Sequence, residues 1–383
     1  MSLVRRPVSR GLFRALLPAV GLLASGIGGG TLAAQLRVDN VRVNAGAALE
    51  RYTGNFSVVN NPVVDSTEYA VAGASEWGFT GTFGVLSRQN RTLDFTAQGT
   101  LRQLATAGFL QRNYAPREHS YEVRANYLQL LAGGHLALAA ILDGRGVADL
   151  PPMPLYLPPG YLSYAGEAEY LKFLGSGYAI DTKTVFAEKD YAGPSVLPNL
   201  DLLDYRSAEV QAGARRFFRS SSGTGEVSVV RLFAAYLHRR YPRQGHRSDH
   251  AARFGGAWEL DFEESRGLEV ELNASGTLNR SNSRRVEYNS LRVEAVAHKT
   301  FGANLVSVSG IWSDKSYINP QDFLVPGEEA DNAVILYGEV SRGLTSDVRA
   351  TVGAGWTRAE TNIGGDYYDQ FRISFSLRAN LGF

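Results

Sequence analysis

Sixteen stretches of this chain alternate apolar with polar side chains residue by residue, and the gaps between them alternate short and long from one end to the other. The last stretch shows the pattern best: Phe371, Ile373, Phe375, Leu377, Ala379, Leu381 and Phe383 interleave with Arg372, Ser374, Ser376, Arg378, Asn380 and Gly382. An extended strand sends successive side chains to opposite faces, so each run makes one apolar and one wet face. The runs fall near 38–51, 72–87, 92–105, 119–131, 134–145, 161–173, 178–190, 205–219, 225–239, 248–263, 267–280, 285–299, 303–315, 331–342, 346–358 and 369–383. Short gaps such as 88–91 and 175–177 take turns with longer ones such as 52–71 and 106–118. Beyond the first 34 residues no stretch holds 18 consecutive apolar residues, so a helical membrane span is excluded there.

Tight turns at one end, longer loops at the other and an even number of long strands predict an all-β fold. The architecture is a single transmembrane antiparallel up-and-down β-barrel of about 16 strands, within a range of about 14 to 18. A secreted β-sandwich is the competing architecture, but its strands run ~5–6 residues, about half the length of these runs. Lipid also requires every backbone polar group to be paired and no sheet edge to remain, which a closed sheet satisfies. Trp77, Tyr121, Tyr178, Trp258, Trp312 and Trp356 are placed toward strand ends, where interfacial aromatic girdles belong.

Residues 1–34 read as a secretory signal peptide, leaving 35–383 as one barrel domain. Arg5, Arg6, Arg10 and Arg14 precede an apolar stretch around Ala15 to Ile27, and Thr31-Leu32-Ala33-Ala34 offers small residues for cleavage. Without those four arginines, 35 basic side chains face 38 acidic ones, a balance that gives no reason to expect nucleic-acid binding. The absence of Cys excludes thiol catalysis and thiolate metal sites.

The closing strand, from Tyr367-Tyr368-Asp369-Gln370-Phe371 to Leu381-Gly382-Phe383, resembles the assembly signal of bacterial outer-membrane β-barrel proteins. Phe375, Leu381 and the terminal Phe383 carry that resemblance. It implies recognition by the barrel-assembly machinery, residence in the outer membrane of a diderm bacterium, and contact with outer-membrane lipid. Among such barrels the chain looks most like sixteen-stranded porins and the barrel parts of polysaccharide exporters, without a specific subfamily motif. Both mature termini are expected on the periplasmic side.

With the apolar sets against lipid, the opposite sets line a lumen. These include Arg42, Asp94, Arg102, Glu259, Asp261, Glu269, Glu271, Arg349, Arg372 and Arg378. Most are expected to pair across strands, while Glu259, Asp261, Glu269 and Glu271 form an acidic stripe opposed by basic Arg349, Arg372, Arg378 and Arg42. Arg239, Arg240, Arg243 and Arg247 form a basic rim suited to lipopolysaccharide phosphates. The apolar loops 146–160, with Met153, Leu155 and Tyr156, and 191–204, with Leu200 and Leu202, are expected to pack over the mouth.

Candidate chemistry is sparse. His119, His135 and His298 are isolated, and His246, Asp249 and His250 lack a close third metal ligand, so neither catalysis, nor a cofactor, nor a metal is expected. The expected function is a channel for passive diffusion of small polar solutes or an oligosaccharide. Two alternatives stay open: a partner- or lipid-binding structural barrel with apolar loops over its mouth, and an exopolysaccharide export channel served by a separate periplasmic subunit.

Overall fold

A computed structural model describes residues 37–54, 70–105, 117–148, 160–192, 200–219, 227–262, 267–319, 332–360 and 367–381. The expected signal peptide at 1–34, Met153, Leu155, Tyr156 and Phe383 lie outside the described residues.

The strands are β1 (Arg37–Gly54), β2 (Ala70–Arg88), β3 (Arg91–Ala105), β4 (Arg117–Leu131), β5 (Gly134–Ala148), β6 (Gly160–Gly175), β7 (Tyr178–Ala192) and β8 (Tyr205–Arg219). They continue as β9 (Val227–Arg240), β10 (Ser248–Phe262), β11 (Leu268–Ser281), β12 (Tyr288–Phe301), β13 (Asn304–Tyr317), β14 (Asn332–Gly343), β15 (Val348–Glu360) and β16 (Tyr367–Leu381). Each pairs antiparallel with its chain neighbours, and β16 returns to β1 from Val41↔Leu381 to Gly54↔Tyr368, closing one barrel. The period-two pattern therefore locates all sixteen strands, with bounds within three residues of those read from sequence. Short 3-10 turns at Leu200–Leu203 and Arg284–Val286 interrupt the loops of one end.

Strand length matters here. The strands run from 12 to 19 residues, whereas a tilted strand crosses a hydrocarbon core with ~9–11. Their ends therefore project beyond it. At one end the connections are as tight as chemistry allows: Ser176 and Gly177, both at positive φ (51° and 77°), join β6 to β7. Two successive left-handed residues match the twist of the strands they connect.

The molecule is turned inside out relative to a water-soluble protein. Its buried apolar set is small and dominated by alanines such as Ala48, Ala74 and Ala179, whereas Glu50, Asp181, Arg247, Asp249 and Lys315 are buried. Large apolar side chains instead cover the outside: Leu232 is 64% exposed, Phe186 62% and Trp77 58%. A continuous apolar surface of this extent is untenable in water. Closure leaves no strand edge, so lipid can contact this surface without meeting unpaired backbone. Trp258 and Trp356 stand on the outward face near strand ends and donate their indole N–H to Ser228 Oγ (2.9 Å) and Asp369 Oδ2 (3.0 Å). Trp77 instead lies well inside β2, beside Ala45 and Leu101.

Candidate functional site

The site is the inner wall. Residues directly opposite on adjacent strands share a face, so the register carries one inner set around the whole sheet. Arg372 faces Glu50, Arg102 faces Glu76, and Arg253, Glu259 and Asp261 face Thr277, Glu271 and Glu269. Arg42, Asp94, Arg102, Glu259, Asp261, Glu269, Glu271, Arg349, Arg372 and Arg378 all fall on this inner set. Phe375 and Leu381 fall on the outer one, 50% and 42% exposed.

Most inner charges are tied to one another. Glu50, fully buried, is held by Arg102 and Arg372, and both arginines also reach Glu76, Arg102 at 3.1 Å. Asp181, also buried, accepts from Arg215 Nε at 2.9 Å and Arg231 Nη2 at 2.6 Å, and Arg215 reaches Glu169 at 2.8 Å. Arg124 and Lys183 share Glu167 at 2.7 and 3.2 Å, and Arg253 reaches Glu209 across β9 at 2.7 Å. Asn126 donates to Asp94 at 2.9 Å. These contacts brace the wall across two or more strands.

Two arcs at the short-turn end are different. On β10 and β11, Glu259 stands opposite Glu271 and Asp261 opposite Glu269, all four exposed inside the barrel. Among the described residues Glu259 and Glu269 have no ion-pair partner, and Glu271 accepts only from Asn273, at 2.6 Å. On β15 and β16, Arg349 stands opposite Arg378, and Arg42 of β1 lies one diagonal step away, opposite Asn380. Like charges placed directly opposite are destabilising. Three strands separate the arcs, so acidic and basic charge occupy different sectors of one mouth.

The long-loop end holds a feature that sequence reasoning missed. Tyr161 on β6, Tyr191 on β7, Tyr205 on β8 and Tyr241 just after β9 follow one another around the wall, with ring centroids 6.4, 6.3 and 6.1 Å apart. Lys189 sits over Tyr161 at 3.6 Å, Arg239 over Tyr205 at 4.5 Å and Arg247 over Tyr241 at 3.9 Å. Each tyrosine occupies a wet-face position beside a long gap, and that placement of an aromatic residue was the available signal. The arc forms only once the register aligns the strands.

The basic rim does not survive as one cluster. Arg239 faces inward opposite Asp249, and Arg247 is buried against Tyr241 and bonded to Asp249 at 2.8 Å. Arg243 bonds Asp201 and lies 3.5 Å from Asp204, so of the four only Arg240 remains on the outward face. The reason is alternation itself: consecutive Arg239 and Arg240 must point to opposite sides.

The same arginine fixes a loop. Arg243, together with Gln244 donating to the Leu202 carbonyl at 2.6 Å, ties Leu200–Leu203 to the β9–β10 loop, leaving Leu202 exposed and Leu203 buried. Burial pushes the nearby Asp204 carboxyl above its usual range, although Tyr191 N–H donates to it at 2.8 Å. Packing of this loop on 146–160 falls outside the described residues.

The histidines do not assemble a centre. Asp249 faces inward, whereas His250 faces outward, bonded to Tyr236 at 2.5 Å and Ser248 at 3.1 Å, so the two cannot share an ion. His298 and Ser307 bond at 2.9 Å between opposite inner positions of β12 and β13. Among the described residues no three His, Cys, Asp or Glu side chains group as metal ligands.

No family model matches the chain, and no curated protein matches it by sequence. Among solved structures, the outer membrane channel DcaP of Acinetobacter baumannii is 10% identical, with 92% of this chain and 99% of that one covered and a TM-score of 0.48. OccK7 of Pseudomonas aeruginosa is 9% identical over 90% and 100% of the two chains at 0.44, and OprB of Pseudomonas putida 9% over 90% and 94% at 0.43. On its own geometry, with a closed sheet, an apolar outer band and a charged inner wall, this chain is a transmembrane antiparallel β-barrel of sixteen strands.

Proposed function

We propose that this barrel is a channel of the bacterial outer membrane through which small polar solutes or an oligosaccharide diffuse passively. The observation that carries the reading is the pair of charged arcs: seven ionic side chains, Arg42, Arg349, Arg378, Glu259, Asp261, Glu269 and Glu271, face the interior and remain exposed. Charges left exposed on an inner wall need water around them, and sixteen strands enclose enough width for an aqueous path. Separated sectors of opposite sign set a field across that path, which orients dipolar solutes.

In this reading the described ends, Arg37 and Leu381, lie with the short turns on the periplasmic side. The β16 strand with Phe375, Leu381 and Phe383 is what the barrel-assembly machinery recognises, and outer-leaflet lipopolysaccharide surrounds the long-loop end, where Arg240 faces outward. No step of such transport calls for a cofactor or for catalysis.

Single-channel recording of the purified protein in planar bilayers, with a series of neutral solutes of increasing size, tests the reading. Discrete conductance steps that shrink as small solutes enter are expected. Absence of any conductance from correctly folded barrel would refute it and favour the structural-barrel alternative.

A further inference from the structure

We propose that Arg42, Arg349 and Arg378 form an oxyanion site inside the short-turn mouth, holding the phosphate or carboxylate group of a small solute. The contrast with the rest of the wall carries this. Arg102, Arg124, Arg145, Arg215, Arg231, Arg253, Arg292 and Arg372 on the inner face each lie within ion-pair distance of a carboxylate. Among the described residues Arg42, Arg349 and Arg378 do not, although they are exposed and come from three adjacent strands.

All three line one cavity of about 230 Å³, together with Asn380, Ser346 and Asp347. Asp347 is the one carboxylate there; it accepts from Ser346 Oγ at 2.8 Å and makes no ion pair with the arginines. Three guanidiniums against one carboxylate leave positive charge in excess. Arg349 and Arg378 are directly opposed on paired strands, so their planar forks are carried by rigid backbone. Guanidinium forks bond phosphate and carboxylate oxygens in pairs, which spherical halide ions cannot match. A bound oxyanion also relieves the repulsion between the like charges. The cavity is several times the ~30 Å³ share of a water molecule, so an oxyanion fits with part of its hydration.

The site rests on the channel reading for its role in transport but not for its existence, so two measurements are needed. In planar bilayers, the chloride current of the full-length protein is titrated with inorganic phosphate and, separately, with succinate, at constant ionic strength to hold screening fixed. Isothermal calorimetry on the detergent-solubilised barrel reads phosphate and succinate binding without any need for conduction. Saturable block and binding are expected, each weakened about tenfold or more in R349Q/R378Q, the loss that follows from removing charge-assisted bonds.

Stronger binding of one titrant identifies which oxyanion the site prefers. Where the double variant does not fold, R378K retains charge but loses the fork and should still weaken block, and R42Q should do so as well. A conducting barrel that neither binds phosphate and succinate nor is blocked by them, or whose affinities survive R349Q/R378Q and R42Q unchanged, overturns the site. Arginine-dependent binding by a barrel that does not conduct would leave the site standing and remove the channel.

Discussion

On β7 to β9, Arg215 and Arg231 close upon the buried carboxylate of Asp181, whereas on β15, β16 and β1 the arginines Arg349, Arg378 and Arg42 make no ion pair with any carboxylate among the described residues. Both groups belong to the same inner face and the same end of the barrel. What separates them is register. Asp181 lies 34 and 50 residues from its two partners, and only strand alignment brings them together. In a barrel wall, then, the same residue type is a brace where a counter-charge is aligned and an exposed, lumen-facing group where it is not.

Breaking the brace should have the largest effect. Asp181→Asn leaves Arg215 and Arg231 facing each other, with only Arg215 still bonded to Glu169. Loss of about 3 kcal/mol of folding stability is expected, as when one member of a buried pair is removed. A lowered urea midpoint of the detergent-folded barrel reads it, and an unchanged midpoint would mean that lumen water already replaces the carboxylate.

Glu50→Gln tests the same idea where a second acid stands by. Arg102 and Arg372 keep Glu76 after the change, so a smaller loss of about 1–2 kcal/mol is expected in the same assay. A cost equal to that at Asp181 would show that Glu76 is no substitute. The smallest stability effect belongs to the unpaired acids. E259Q/E269Q should leave the midpoint within about 0.5 kcal/mol yet shift the reversal potential in a salt gradient toward anions. If that potential does not move, the acidic arc lies off the conduction path.

The residues most easily read in advance were those whose role is set by the face they occupy. Phe371, Ile373 and Phe375 against Arg372 and Ser374 declare an outside and an inside without any knowledge of neighbours. Glu259 and Asp261, two residues apart on one strand, could be placed on one face together with Glu269 and Glu271 because a short turn joins their strands. Arg239, Arg240, Arg243 and Arg247 failed as a cluster for the converse reason. Proximity in sequence says little where alternation splits neighbours and a loop folds Arg243 back onto Asp201. The tyrosine arc went unseen because its members lie on β6, β7, β8 and the segment after β9, and no local pattern links them.

Alternation with period two is a local property of an extended chain, so the sequence by itself determined that strands form, how many there are, which face is apolar, and hence that the sheet needs lipid on one side and water on the other. Pairing between inner charges is non-local. It depends on how far each strand is slid against the next when the sheet closes from β16 onto β1, and a slip of one residue would turn every side chain to the other face. Only the tertiary structure could decide that Glu50 and Asp181 are enclosed by arginines while Arg42, Arg349 and Arg378 face the lumen with no carboxylate partner among the described residues.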